Sequence, residues 1–238
     1  MTTMPFPARD YLPVLRELTD GFATLLRTAD PAARVPDCGT WTLADLGTHL
    51  GNVHRWAASV VTAGEVQPQN FEDGPGDAGW YAESAQLLVD ALEKATPEDR
   101  CWHFGGTEKT KAFWYRRQVH ETVVHLADAH LATGREFTVD PAVAADGVDE
   151  VLGTLLPRVT RWHPVPQLPG PVSLHATDTG DVWTVHPGEP PAMGPAADGA
   201  TVEAPARDLL LRLWKRTGPA PRSTGDAAAA LLEAPLTP

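Results

Sequence analysis

Residues 116–128, with the sequence RRQVHETVVHLAD, constrain the fold of this chain more than any other segment. The spacing of the segment predicts a helix, in which Glu121 and His125 stand about 40° apart and project from one face. The other faces are mostly apolar, with one stripe of Val119, Val123 and Leu126 and further residues Val124, Ala127 and Leu131. A helix of this kind packs on several sides, so its polar face is expected to be partly buried. A buried carboxylate and imidazole need partners there.

A divalent metal ion would satisfy both groups. A carboxylate and an imidazole are two of the three protein ligands that an open, catalytic metal site requires. His49, in the segment TWTLADLGTHL at 40–50, lies on the apolar stripe of an earlier predicted helix and is the candidate third ligand. Asp128, one turn beyond His125, is expected to fix the tautomer of its imidazole. Taken alone, a helical Glu/His pair more often marks a solvated face, and a single histidine is more often a core residue; the combination favours a metal site.

The other histidines and both cysteines are weaker candidates. His54 follows His49 by five residues and points about 140° away, so we expect it at the surface or the rim of the site. His120 is offset by about 100° from Glu121 and is a poorer ligand candidate for the same reason. Cys38 and Cys101 lack metal-ligand spacing and are expected to be small loop residues of a reduced, intracellular protein. Five further histidines are expected to be incidental: His103, His130, His163, His175 and His186.

Charge and composition exclude several classes of function. A net charge of −12 over 238 residues, without a basic stripe, argues against a nucleic-acid-binding protein. The N-terminus lacks the pattern of a signal peptide, and no apolar run approaches the length of a membrane span, which predicts a soluble cytoplasmic protein. The sequence contains no phosphate-binding loop, dinucleotide fingerprint or nucleophile elbow.

The pattern of apolar residues predicts an α+β protein of two domains. Four helices are expected in the first domain. They cover about 8–28, a segment that begins after Thr42 as its N-cap, 80–94, and 111–133 with Gly134 as its C-cap. After about residue 137 we expect a helix at 146–156, strands at 172–176, 182–186 and 200–204, and helices at 205–217 and 226–232. The predicted architecture is a four-helix bundle in residues 1–137, followed by a small α/β domain in residues 138–238.

Two segments resemble a known family. Residues 40–50 are similar to the W-T-x-x-D-L-x-x-H-L motif, and residues 116–129 to the R-x-x-x-H-E-x-x-x-H-x-x-D-A motif, of mycothiol-dependent maleylpyruvate isomerase-like proteins. The N-terminal domain of that family belongs to the DinB-type metal-binding helical bundles, and weaker similarity continues at 145–150 and 207–216. The resemblance carries the family's metal ligands onto His49, Glu121 and His125, and makes Arg216 a candidate for binding the thiol cofactor.

The resemblance implies a zinc-dependent enzyme that uses mycothiol, a low-molecular-weight thiol, as its cofactor. In the isomerase reaction the activated thiolate adds to a cis double bond of a dicarbonyl acid, the new single bond rotates, and expulsion of the thiolate gives the trans isomer. Relatives use the same thiol for S-transfer to electrophiles. The expected partners are therefore a small-molecule substrate and the thiol, with no nucleic acid or membrane. Neither cysteine lies near the proposed ligands in sequence, so the nucleophile is expected to come from outside the chain.

Two other functions remain open from the sequence. The same metal site could activate water, as in a metal-dependent hydrolase. Alternatively, the chain could be a non-catalytic protein that binds a small molecule and retains the metal.

Overall fold

The computed structural model describes residues 6–238, which divide after Phe137 into two compact units. Within the described residues, the first unit is helical and the second combines a mixed sheet with helices, as the sequence predicts. The helices of the first unit are α1 (Tyr11–Thr28), α2 (Leu43–Ala63), α3 (Ala78–Lys94) and α4 (Ala112–Ala132). A short 3-10 turn at Ala8–Asp10 precedes α1. None of the helices described is long and apolar enough to cross a membrane.

The four helices of the first unit enclose a core of leucine and aromatic side chains. Helices α1 and α2 each pack against both α3 and α4. The apolar stripe predicted for α1 is buried from Leu15 to Leu25, whereas Leu12 at its start is partly exposed. On α3, Leu88 and Leu92 are buried as predicted, but Leu87 is 46% exposed. That prediction was wrong because adjacent helical positions differ by about 100°, and the stripe of α3 that faces the core contains Leu88.

Helix α2, which carries His49, has well-defined ends. The Thr42 hydroxyl accepts a hydrogen bond from the backbone N–H of Asp45, and the Asp45 carboxylate accepts one from the Thr42 backbone, which forms a capping box. The helix ends at Gly64, whose φ of 74° is in the left-handed region that favours glycine. These local signals place the start of α2 where the sequence predicts it.

The segment between α2 and α3 lies directly on the turn of α2 that carries His49. An added Cβ at Gly47 would lie 2.5 Å from the Gly76 carbonyl oxygen, so the two backbones meet with no side chain between them. The Asn52 side chain accepts from the backbone N–H of Glu72 and donates to the carbonyl of the same residue, both at 2.9 Å. The Thr48 hydroxyl donates to the Gly74 carbonyl at 2.8 Å. The segment is therefore fixed to the helix by its main chain.

Helix α4 is enclosed on nearly every side. Sixteen of its 21 residues are buried, including polar and charged ones. It ends at Ala132 with Thr133 as its C-cap, and Gly134, predicted as the cap, is the next residue, with a φ of 64°. The mixture of apolar and polar residues around this helix thus reflects burial of both kinds of side chain.

The second unit contains a five-stranded mixed sheet in the order β3-β2-β1-β4-β5, with β1 parallel to β4 and the other neighbours antiparallel. Its strands are β1 (Val172–Ala176), β2 (Val182–His186), β3 (Ala192–Gly194), β4 (Ala200–Ala204) and β5 (Arg222–Thr224). Its helices are α5 (Pro141–Glu150), α6 (Ala206–Leu213) and α7 (Asp226–Glu233), and α5 continues through a π turn at Val151–Leu155 and a 3-10 turn at Leu156–Arg161.

The three longer strands coincide with the predicted ones, whereas several other boundaries differ. The helix predicted at 146–156 begins five residues earlier, where Asp140 caps it and Pro141 occupies its first turn. Helix α6 is shorter than predicted and ends at Leu213. Strands β3 and β5 were not predicted, because three residues are too few to show an alternating pattern.

Candidate metal centre

The structure brings the three predicted ligands together. His49 on α2 and Glu121 and His125 on α4 each offer one ligand atom, and these atoms all lie within 4.8 Å of one another. Glu121 Oε1 is 3.4 Å from His125 Nε2 and 3.7 Å from His49 Nε2. Within residues 6–238, these three side chains form the group of histidine, cysteine or acidic residues whose ligand atoms are close enough to hold a metal ion.

The two carboxylate oxygens of Glu121 have different partners. Oε1 faces the two histidines, and Oε2 accepts a hydrogen bond from the guanidinium of Arg117, one helical turn earlier on α4. Burial by itself would raise the pKa of Glu121, but Arg117 and the two histidines outweigh it and hold this pKa well below its usual range. Glu121 is therefore ionised at neutral pH.

His125 is held from the side opposite Glu121. Its Nδ1 lies 3.0 Å from Asp128 Oδ2, in the contact that the sequence predicts for fixing the imidazole. Burial would lower the pKa of His125, but Asp128 and Glu121 raise it to about 9. An ion that binds at Nε2 would therefore displace a proton held by these two carboxylates.

His49 is the most accessible of the three, with a side chain 28% exposed. Its ring lies 4.9 Å from that of Trp41 and, in a T-shaped arrangement, 6.4 Å from that of Phe71, both measured between ring centroids. The His125 ring completes its surroundings at 5.0 Å. Phe71 is 46% exposed, so the open side of the group has an aromatic wall. No sequence pattern predicted this role for Trp41 or Phe71, although Trp41 lies in the motif that contains His49.

Comparison with protein families identifies the chain. Residues 13–130 match the model of the mycothiol maleylpyruvate isomerase N-terminal domain, and residues 142–233 match that of the C-terminal domain of the same family. The chain belongs to the mycothiol-dependent maleylpyruvate isomerase family. This is a family of enzymes, and the two matches cover most of the chain. A comparison with curated proteins gave no match.

Two solved structures are similar to this family member in fold. They are the crystal structure of a mycothiol-dependent maleylpyruvate isomerase, at 15% identity, and that of a variant with one histidine replaced by alanine, at 14%. Each match has a TM-score of 0.66 and covers 100% of this chain and 99% of the other. The order of a helical N-terminal region and a small C-terminal mixed sheet is therefore the fold of those enzymes.

His54 is fully buried, which corrects the prediction that it lies at the surface or rim. Its Nδ1 lies 2.9 Å from Gln118 Oε1, and its Nε2 lies 3.3 Å from the Tyr81 hydroxyl. Burial lowers the pKa of His54 to about 4, although the hydrogen bond to Gln118 opposes the change. The prediction was wrong because α2 packs against both α3 and α4, so the face of α2 away from His49 also lies inside the bundle.

Cys38 lies closer to the candidate site than the sequence indicated. Both cysteines are free and lie in loops, as predicted, but Cys38 Sγ is 3.5 Å from Asp128 Oδ2. Cys101 is buried, with its sulfur 3.6 Å from the Val60 carbonyl oxygen. Cys38 is therefore near the residue that holds His125, although it is far from the ligands in sequence, because the loop before α2 passes alongside α4.

The remaining candidates lie outside the group of three. His120 is fully buried, with its ring centroid 6.4 Å from that of Tyr11, and the five histidines expected to be incidental do not join the group. Arg216 lies in the second unit, where its guanidinium donates to the Trp214 carbonyl and lies 5.9 Å from the centroid of the Trp214 ring. Its role in thiol binding stays a prediction.

Proposed function

We propose that this protein is a mycothiol-dependent isomerase of a small unsaturated acid and that it holds zinc, or a similar divalent ion, with His49, Glu121 and His125. The observation that carries the metal proposal is the position of Glu121 Oε1, 3.4 Å and 3.7 Å from the two imidazole nitrogens. The family supports the thiol and the isomerase chemistry. S-transfer to an electrophile would need the same activated thiol and is the related reaction to test beside it.

The residues present fit such an ion. Zinc bonds of about 2.0–2.2 Å in tetrahedral geometry separate neighbouring ligand atoms by about 3.3–3.6 Å. The contacts of Glu121 Oε1 with the two imidazole nitrogens agree with that spacing to within a few tenths of an ångström. Two imidazoles and a carboxylate are a donor set that suits zinc and neighbouring transition metals. Three protein ligands would leave a position for an external ligand.

Each residue of the centre has a distinct part in this proposal. A bound zinc ion lowers the pKa of a thiol or water at its open position, which supplies a nucleophile at neutral pH. Glu121 supplies the negative charge of the ligand set, and Asp128 accepts from Nδ1–H of His125, which leaves Nε2 as the ligating nitrogen. Trp41 and Phe71 place apolar surface beside His49 and limit the access of water on that side.

Metal content and thiol dependence together test the proposal. We expect the purified protein to contain about one equivalent of metal and to isomerise maleylpyruvate only when mycothiol is added. Glu121→Gln should lose both the metal and the activity. Glu83→Gln is a matched control that should retain both, because Glu83 is an exposed residue of α3 that pairs with Arg55 of α2. Metal-dependent turnover of an ester or amide without thiol would instead indicate the hydrolase, and metal binding without turnover would indicate a binding protein.

A further inference from the structure

Arg117 has a specific relation to the metal centre beyond the three ligands. Its side chain is 6% exposed, and it lies one turn before Glu121 on the same helix. Its Nη2 donates to Oε2 of Glu121, whereas the contacts with His49 and His125 are made by Oε1. The carboxylate is thus divided, with one oxygen bound by a cation of the chain and the other directed to the histidines.

We propose that Arg117 is a positioning residue that restricts Glu121 to a single coordinating oxygen. The inference rests on the proposed function, since it concerns how Glu121 binds the metal. A carboxylate can bind a metal through one oxygen or through both. The bond from Arg117 takes up one of the two lone pairs of Oε2 and holds this oxygen toward the guanidinium, which disfavours its joining the ion. Glu121 then fills one coordination position, and the position that a thiol needs stays open.

The chemistry of arginine suits this role better than that of lysine. The guanidinium stays charged at any physiological pH, and its planar, directional N–H groups hold a carboxylate in a defined orientation. A lysine ammonium would neutralise Glu121 equally well, but as a compact charge without a fixed direction. If Arg117 only neutralises the charge of Glu121, a lysine in its place should serve equally well. If Arg117 fixes the orientation of the carboxylate, a lysine should not.

Cobalt(II) substitution separates these possibilities, because four-coordinate cobalt absorbs visible light much more strongly than five- or six-coordinate cobalt. We expect the cobalt-loaded wild type to give the strong spectrum, Arg117→Gln to bind one cobalt with a severalfold weaker one, and Arg117→Lys to resemble Arg117→Gln. Arg55→Gln, which removes an arginine from a pair with Glu83 on the same bundle, should leave the spectrum unchanged. A strong spectrum in Arg117→Gln, or its full recovery in Arg117→Lys, would overturn the proposal.

A measurement on the wild type keeps the test valid if Arg117→Gln does not fold. The infrared difference spectrum between metal-loaded and metal-free protein contains the carboxylate stretches, whose separation is wide for one-oxygen coordination and narrow for two. A wide separation supports the proposal and a narrow one overturns it. Failure of the wild type to bind cobalt, with Glu121→Gln indistinguishable from it, would instead refute the metal centre itself, so the two failures are distinct.

Discussion

Asp128 Oδ2 and His125 Nδ1 are 3.0 Å apart, on the side of the imidazole away from Glu121. The contact joins two residues that are one turn apart on α4, and the Asp128 side chain is fully buried. The imidazole is consequently held between two carboxylates, with one on each ring nitrogen. The orientation of His125 is therefore set by the helix itself.

Replacement of Asp128 should weaken metal binding without removing it. We expect Asp128→Ala to lower the metal affinity by about 10–100-fold, because partners of this kind tune the ligand to that extent. Asp128→Asn retains an oxygen that can accept from Nδ1–H, so it should recover part of the loss. Isothermal titration with zinc measures both values, and Asp90→Asn on α3 serves as the surface control. Equal affinities for Asp128→Ala and wild type would show that the contact does not support the site.

Removal of His125 should abolish metal retention and leave the helical fold intact. Bundle stability comes mainly from the apolar stripes, so the far-ultraviolet circular dichroism of His125→Ala should match that of the wild type. A metal present at 100 times its Kd stabilises the folded protein by about 2.7 kcal/mol, which should raise the Tm of the wild type but not that of His125→Ala. His186→Ala, in the second unit, should respond to metal as the wild type does. A metal-induced rise in Tm that persists in His125→Ala would exclude this residue as a ligand.

His54 should make the stability of the protein depend on pH between about 6.5 and 4. Its folded-state pKa of about 4 is below the usual 6.5, so the unfolded chain binds a proton that the folded one excludes. The full stability is present above pH 6.5, and about 3 kcal/mol is lost as the pH falls to about 4. Denaturant unfolding at several pH values should give a smaller pH dependence for His54→Gln than for the wild type. His103, whose folded-state pKa is also about 4, contributes to the dependence that remains. An unchanged dependence in His54→Gln would contradict the assignment.

The cysteine beside Asp128 makes the source of the nucleophile a direct question. We expect Cys38→Ser and Cys101→Ser to stay active with added mycothiol, and the wild type to be inactive without it, since the nucleophile is external. Serine at position 38 retains a donor for Asp128. Steady-state assays with thiol-free enzyme provide the measurement. Loss of activity in Cys38→Ser but not in Cys101→Ser would identify a thiol of the protein as the nucleophile, and full activity without mycothiol would indicate activated water.

The residues that the sequence located correctly are those whose position depends on one helix. The Thr42 cap, the shared face of Glu121 and His125, and the support from Asp128 all follow from spacing within a turn or two. His49 could be predicted as the third ligand only because it lies on the apolar stripe of another predicted helix and in a motif of the family. His54 was misplaced, and the contact of Cys38 with Asp128 was not predicted, because helical angle and sequence distance do not tell which element packs against a residue. Strands β3 and β5 were missed because they are short and depend on pairing with longer neighbours.

The contact between Gly47 and Gly76 sets how close the segment before α3 can lie to α2. The two backbones already meet there with no side chain between them, so at this contact the segment cannot move closer to the helix that carries His49. A side chain at either glycine would push the segment away from α2, and no substitution at these two positions can bring it closer. Two changes can therefore make room beside His49 for a bulkier substrate. A larger residue at Gly47 pushes the segment away from α2, and a smaller residue at position 71 removes part of the aromatic wall. Gly47 is not one of the residues that would hold the metal, whereas position 71 packs against His49, so a change there also alters the surroundings of that ligand.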